Sequence, residues 1–139
     1  MKKTLPSRRS NCTVSYALDY IGDKWTLLVL RDLLFNGKRH FRDFLASDEN
    51  IASNILTQRL KQLVAADLVL RRPDPESRRS VIYEPTAKAV DLIPALLELM
   101  LWSGKYDPQT RMTAKLARRI AEDRDGIVAE VVAHLGSRS

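Results

Sequence analysis

The chain has 139 residues, 45% of them apolar and 29% charged, which suits one domain with a packed core and an added element. Lys and Arg number 23 against 17 Asp and Glu, and the resulting formal charge of +6 permits a polyanionic partner. A single cysteine excludes an intramolecular disulfide framework, Cys/His zinc spacing is absent, and no apolar run has the length of a signal-peptide core or a membrane span; a cytoplasmic protein with no metal or other cofactor is expected.

Residues 1–9 read as a basic arm, with Lys2, Lys3, Arg8 and Arg9 in little apolar company. Such an arm is either a solvated tail or a phosphate contact. Ser10 to Gly22 is the first predicted helix, with Val14, Ala17, Leu18 and Ile21 in a 3.6-residue stripe and Gly22 as its stop. Cys12 falls at its first turn, after Arg8 and Arg9. A helix N-terminus and nearby cations both favour thiolate, so Cys12 is either a reactive thiol or a small, partly buried apolar residue.

Lys24 to Phe35 is the second predicted helix, apolar nearly all round and therefore expected at the centre of the core. Asn36-Gly37 ends it, and Lys38 to His40 is a candidate short strand. Phe41 to Ala46 is a third, short helix with Phe41, Phe44 and Leu45 inward. Ser47 to Asn50 forms a turn in which Asn50 suits a left-handed conformation.

The stretch Ile51 to Asp67 follows as a helix. Leu56, Leu60, Leu63 and Val64 share its expected core face. Ser53, Asn54, Thr57, Gln58 and Lys61 share the opposite face, which holds amides, hydroxyls and one amine, and no carboxylate before Asp67. Amides and amines pair with base edges, and hydroxyls and amines with phosphates, so this face suits a recognition helix. Taken alone it also suits an ordinary amphipathic surface helix.

Next, Val69 to Arg72 and Arg78 to Glu84 read as two strands around a turn at Pro73 to Ser77. Val81 and Tyr83 share one face, and Ser80, Ile82 and Glu84 the other. Arg71, Arg72, Arg78 and Arg79 load this hairpin with positive charge. Arg78 and Arg79, beside the turn, are placed for a phosphate backbone or a minor groove. Lys38, Arg39 and Arg42 are further backbone-phosphate candidates.

Thr86 should cap a long apolar helix to about Tyr106, kinked or interrupted at Pro94. Asp107-Pro108 should restart a helix, and Met112, Leu116, Ile120, Ile127, Val128, Val131 and Leu135 continue its stripe as one helix or two. So much apolar helix surface calls for a second copy of the chain. The expected fold is mainly α with a small β-hairpin wing, a winged helix-turn-helix with N- and C-terminal dimerisation helices. Its expected parts are the arm at 1–9, a DNA-binding domain at 10–104 and a dimerising helical extension at 105–139.

The stretches NCTVSYALDYIGDKWTLLVLRDLLFNGKRHF, NIASNILTQRLKQLVAADLVLRR and VIYEPT, with a Trp-ending helix after them, resemble the HxlR-type winged helix-turn-helix regulators over roughly residues 11–104. The most specific blocks are Ile21 to Trp25 (IGDKW) and Ser53 to Leu63. The wing, RRPDPESRRSV, is closer to that of MarR-type regulators. The resemblance implies a small dimeric bacterial transcription regulator, repressor or activator, that binds double-stranded DNA. It places the recognition face on Ser53, Asn54, Thr57, Gln58 and Lys61, and it makes Cys12 a candidate sensor of oxidants or electrophiles. The alternative is a winged-helix protein-interaction module without DNA binding. An enzyme is not expected: there is no phosphate loop and no nucleophile with an evident base, and His40 and His134 read as structural or solvated. No small-molecule effector is evident from the sequence.

Overall fold

The computed structural model describes residues 5–137, so Lys2 and Lys3 of the arm lie outside the described residues. The order of elements is α1 (Thr13–Ile21), α2 (Thr26–Leu34), α3 (Phe41–Leu45), α4 (Ser53–Ala65), β1 (Val69–Asp74), β2 (Ser77–Pro85), α5 (Ala87–Val90), α6 (Ile93–Tyr106), α7 (Ala114–Glu122) and α8 (Arg124–Gly136). The fold is mainly helical with one antiparallel hairpin, as expected. Two compact units divide the chain, Met1–Ala89 and Val90–Ser139. The boundary expected at 104/105 falls inside α6.

In the first unit α2 is the core helix: Val29, Leu30, Leu33 and Leu34 are buried, together with Thr26 and Asp32. Around them lie Phe44 of α3, Leu56, Leu60 and Leu63 of α4, and Ile82 and Tyr83 of β2. Phe44 meets Tyr83 edge to face at 6.3 Å. Trp25 is the N-cap of α2 and not part of the helix. The stripe of α1 is a different matter. None of its residues is buried, and Val14 and Leu18 are 64% and 50% exposed, because no described element of the first unit covers that face.

The joints explain several residue choices. Gly22 gives its N–H to the Leu18 carbonyl at 2.9 Å, in right-handed helical geometry. A Cβ there would lie 2.4 Å from that carbonyl oxygen, so the site needs glycine for close approach and not for a left-handed turn. Asp23 then accepts from the N–H groups of Trp25 and Thr26 at 2.8 and 3.0 Å and opens α2. Asn50 has φ 58°, the left-handed value its position called for. α4 closes with Asp67 at φ 61°, where Leu68 N–H reaches the Leu63 carbonyl and Asp67 N–H the Val64 carbonyl. That pair of bonds is a Schellman stop, with the buried Leu63 and Leu68 as its apolar pair.

Three local expectations need correction. Residues 38–40 are not a strand; they meet β2 through a backbone bond from Tyr83 N–H to the Arg39 carbonyl at 2.8 Å and through the Arg39 side chain on Glu84. The turn is shorter than Pro73 to Ser77. β1 continues to Asp74, and Pro73, which has no N–H to give, pairs with Val81 beside a register irregularity. Asp74 makes the tight turn itself by accepting from Glu76 N–H at 2.9 Å. β2 is also buried on both faces at Ile82 and Tyr83, so its alternation does not separate core from solvent.

The long helix expected after Thr86 is two. Thr86 Oγ1 accepts from Ala89 N–H and caps the short α5, and α6 starts afresh with Pro94 in its first turn. In the second unit α6, α7 and α8 each touch the other two, and Ile120 and Ile127 are buried. Asp107-Pro108 makes a turn, with Asp107 accepting from Gln109 N–H; α7 starts at Ala114 with Thr113 as its cap. Met112 is therefore not helical and sits over Gly104, where a Cβ would come within 2.7 Å of it. Asp123 separates α7 from α8 and accepts from Gly126 N–H, so residues 108–135 hold two helices.

Candidate nucleic-acid interface

α3 and α4 are joined by the turn at Asn50, and α4 carries its polar face outward. Ser53, Asn54, Thr57, Gln58 and Lys61 are all exposed, while Leu56, Leu60 and Leu63 are buried on the other side. Thr57 gives its hydroxyl proton to the Ser53 carbonyl at 2.9 Å. Asn54, Gln58 and Lys61 make no side-chain hydrogen bond or ion pair among the described residues, so their donors and acceptors face water. Val64, expected in the core, is 38% exposed at the edge of the stripe.

The turn ahead of α4 is held from α2. The buried Asp32 carboxylate accepts from Ser47 Oγ, from Asn36 Nδ2 at 2.8 Å and from Arg31 Nε at 3.1 Å, with Lys38 Nζ at 3.4 Å. Arg31 reaches Glu49 through both Nη atoms, at 2.8 and 2.9 Å. The acidic pair Asp48-Glu49 looks hostile to a phosphate at this end of α4, but the charge of Glu49 is matched by Arg31. This bidentate pair lowers the Glu49 pKa from 4.5 to about 2. A lowered folded-state value stabilises above the unfolded pKa and fades as pH falls. The contribution should therefore be complete above about pH 5 and lost between there and about pH 2. Acid titration of stability should show a shallower loss in that window for Glu49→Gln than for the wild type. Equal slopes would mean the pair is not formed in solution.

From the other side, Asp23 receives Arg59 Nε at 3.0 Å and so ties the middle of α4 to the α1–α2 joint. Arg59 thus belongs to the scaffold and not to the open face. The spacing of Asp23 ahead of Trp25-Thr26 is a cap signal visible in the sequence; its partner 36 residues away is not.

The hairpin divides its arginines into two sets. Arg72 is held by Glu84 at 2.6 and 3.1 Å, and Arg39 Nη2 meets the same carboxylate at 2.8 Å. Arg72 keeps Glu84 below the usual carboxylate range. His40 Nε2 lies 2.9 Å from Asp74 Oδ2, fastening the start of α3 to the tip of β1 and giving His40 a structural place. Arg71, Arg78 and Arg79 are exposed, with no ion pair among the described residues. Of the other backbone candidates, Arg42 is exposed, while Lys38 and Arg39 are half-buried in the ion pairs above.

Cys12 is the exposed N-cap of α1; its side chain makes no cap hydrogen bond, but the nearby backbone N–H groups of Ser15 and Val14 at the helix start lower its thiol pKa. The cations expected to help are engaged elsewhere: Arg9 pairs with Asp19 at 2.6 Å and Arg8 lies over the Tyr16 ring at 5.2 Å. Among the described residues no group of three or more His, Cys, Asp or Glu is placed to hold a metal ion, and no helix is long and apolar enough to cross a membrane.

Comparison with known proteins agrees with this geometry. An HTH-type transcriptional regulator of Mycobacterium bovis, Mb3122, is 38% identical over 100 residues, which cover 70% of this chain and 60% of that protein. The chain thus spans about 60% of the length of that relative. The crystal structure of PA1607 matches with a TM-score of 0.68 at 33% identity, over 76% of this chain and 74% of the other. The reduced form of the redox regulator HypR matches with a TM-score of 0.62 at 27% identity, over 70% and 95%. None of the three is named as an enzyme. The model of HxlR-like helix-turn-helix proteins matches residues 20–111, from the α1–α2 joint through α4 and the wing into the second unit, and the chain belongs to that family.

Proposed function

We propose that the protein is a homodimeric transcription regulator that binds double-stranded DNA in the cytoplasm. The observation that carries this reading is the outward, carboxylate-free face of α4, whose amides and amine have no partner in the chain among the described residues. In a major groove Asn54, Gln58 and Lys61 meet base edges, with Ser53 and Thr57 beside them. Ala52, the N-cap of α4, offers no side-chain acceptor. The first-turn amides of α4 therefore stay open to a phosphate. Arg78 and Arg79 of the wing, with Arg42, hold the flanking backbone; Lys38 and Arg39 are secondary because carboxylates already engage them.

Dimerisation would cover the apolar surfaces of the N- and C-terminal helices. Val14, Tyr16 and Leu18 are exposed on α1, and so are Leu99, Trp102 and Tyr106 on α6. A two-fold dimer would place two α4 helices in successive major grooves, about 34 Å apart, on a near-palindromic site.

The test is fluorescence anisotropy with duplex DNA from upstream of the protein's own gene, over a range of salt. Arg79→Ala should weaken binding to every sequence alike and reduce the slope of log K against log salt by about one. An unchanged slope would remove Arg79 from the contact set. An interaction module without DNA binding would show no salt-sensitive affinity at all.

A second reading rests on Cys12: its exposed thiol at the N-terminus of α1 suits sensing of oxidants or electrophiles, and HypR is named a redox regulator. Cys12 should react with iodoacetamide at pH 7 several times faster than free cysteine. Cys12→Ser should abolish any peroxide effect on DNA affinity. A rate equal to that of free cysteine, or a peroxide effect that survives the substitution, would end this reading.

A further inference from the structure

A cavity of about 410 Å³ opens between the start of α3, the C-terminal half of α4 and the hairpin. Its apolar lining comes from Phe41, Leu60, Val64 and Tyr83. Its charged lining is Lys61 and Arg71, both exposed and neither in an ion pair among the described residues; no carboxylate lines it. Thr57 completes the wall on the α4 side.

This composition is unusual for a helix edge that only contacts DNA. A phosphate would satisfy Lys61 and Arg71 but would leave Val64 facing water in a concave site floored by two aromatic rings. An amphipathic anion meets both demands, placing its carboxylate between the cations and its ring on the apolar floor. The volume is in the range of small-molecule sites. We propose that this cavity binds a small aromatic carboxylate, and that the bound molecule displaces DNA by occupying Lys61 and the adjoining edge of the reading face. The displacement rests on the DNA-binding reading; the binding site does not.

The experiment is calorimetric titration of the full chain with 2-naphthoate, with naphthalene-2-methanol and inorganic phosphate as controls, followed by the DNA assay with 2-naphthoate present. One molecule should bind per chain, and the uncharged alcohol and phosphate should each bind at least about tenfold more weakly. Arg71→Gln should weaken 2-naphthoate several-fold. Val64→Glu, which sets a carboxylate at the apolar wall and keeps a helix-forming residue, should weaken it by about tenfold or more. Circular dichroism and thermal unfolding check that each variant is folded. In wild type, 2-naphthoate should lower DNA affinity at constant ionic strength.

Absence of binding at millimolar 2-naphthoate, or equal binding by both folded variants, overturns the site. If DNA binds normally while 2-naphthoate does not, and Arg71→Gln lowers the salt slope, Arg71 is a phosphate contact and only the ligand proposal fails. If 2-naphthoate binds as described while DNA is ignored with and without it, the displacement fails together with the DNA reading, and the site stands.

Discussion

Asp32→Ala is expected to destabilise the protein by about 3 kcal/mol or more, a loss typical of breaking a buried charge network from one side. The Asp32 side chain is 3% exposed and is the common acceptor for α2, the residues after it and the turn before α4. Removing it leaves the Ser47 hydroxyl proton without its acceptor and Lys38, which still donates to Ser47 Oγ at 2.8 Å, without its counter-charge, and it leaves Arg31 with Glu49 alone. Each abandoned polar group carries its own desolvation cost. Glu49→Ala is the matched control. Its pair with Arg31 is more exposed, and its loss should cost less than about 1 kcal/mol. Urea unfolding measures both as shifts in midpoint at a common slope. Equal shifts would mean that Arg31 and Glu49, and not the Asp32 cluster, hold the turn.

Asn54→Ala and Gln58→Ala are expected to carry the largest functional effects. Each side chain can make a two-bond contact with an adenine edge, worth about 1–3 kcal/mol of discrimination. Each variant should lose roughly tenfold or more of its preference for the cognate site over a scrambled duplex. Affinity for the scrambled duplex should change little, because the phosphate contacts lie elsewhere, and the salt slope should stay the same. This signature is the opposite of the one expected for Arg79→Ala. If Asn54→Ala and Gln58→Ala weaken cognate and scrambled duplexes equally, the polar face of α4 does not read bases.

Where the chemistry is local, the sequence was readable. The exposed polar face of α4 follows from a helical period applied to residues of one polar class, and Asn50 from the tolerance of asparagine for a left-handed turn. The edge of a stripe was not readable: Val64 lies on the apolar side of the α4 period, yet the core is narrower than the stripe. α1 shows the converse, since its stripe is real but no described element of the first unit covers it. Periodicity reports that a face is apolar, not what it meets.

The second unit was harder to read because helix starts depend on competition between neighbouring caps. Asp107-Pro108 carries the stronger start signal, yet Thr113 caps α7, and Met112 packs over Gly104 in the connecting turn. Long-range ion pairs left no local trace. Arg59 with Asp23, Arg31 with Glu49 and Arg72 with Glu84 engage cations that a charge count does not separate from Arg79. The charge count is thus a poor guide to which cations remain free, and the carboxylates decide it.

The most direct measurement is amide chemical-shift mapping of the isotope-labelled protein titrated with cognate duplex at low ionic strength. The largest changes should fall on residues 53–61 of α4 and on 77–80 beside the wing turn, with little change along α7. Shifts confined to the second unit, or a spectrum indifferent to the duplex, would contradict DNA recognition by α4.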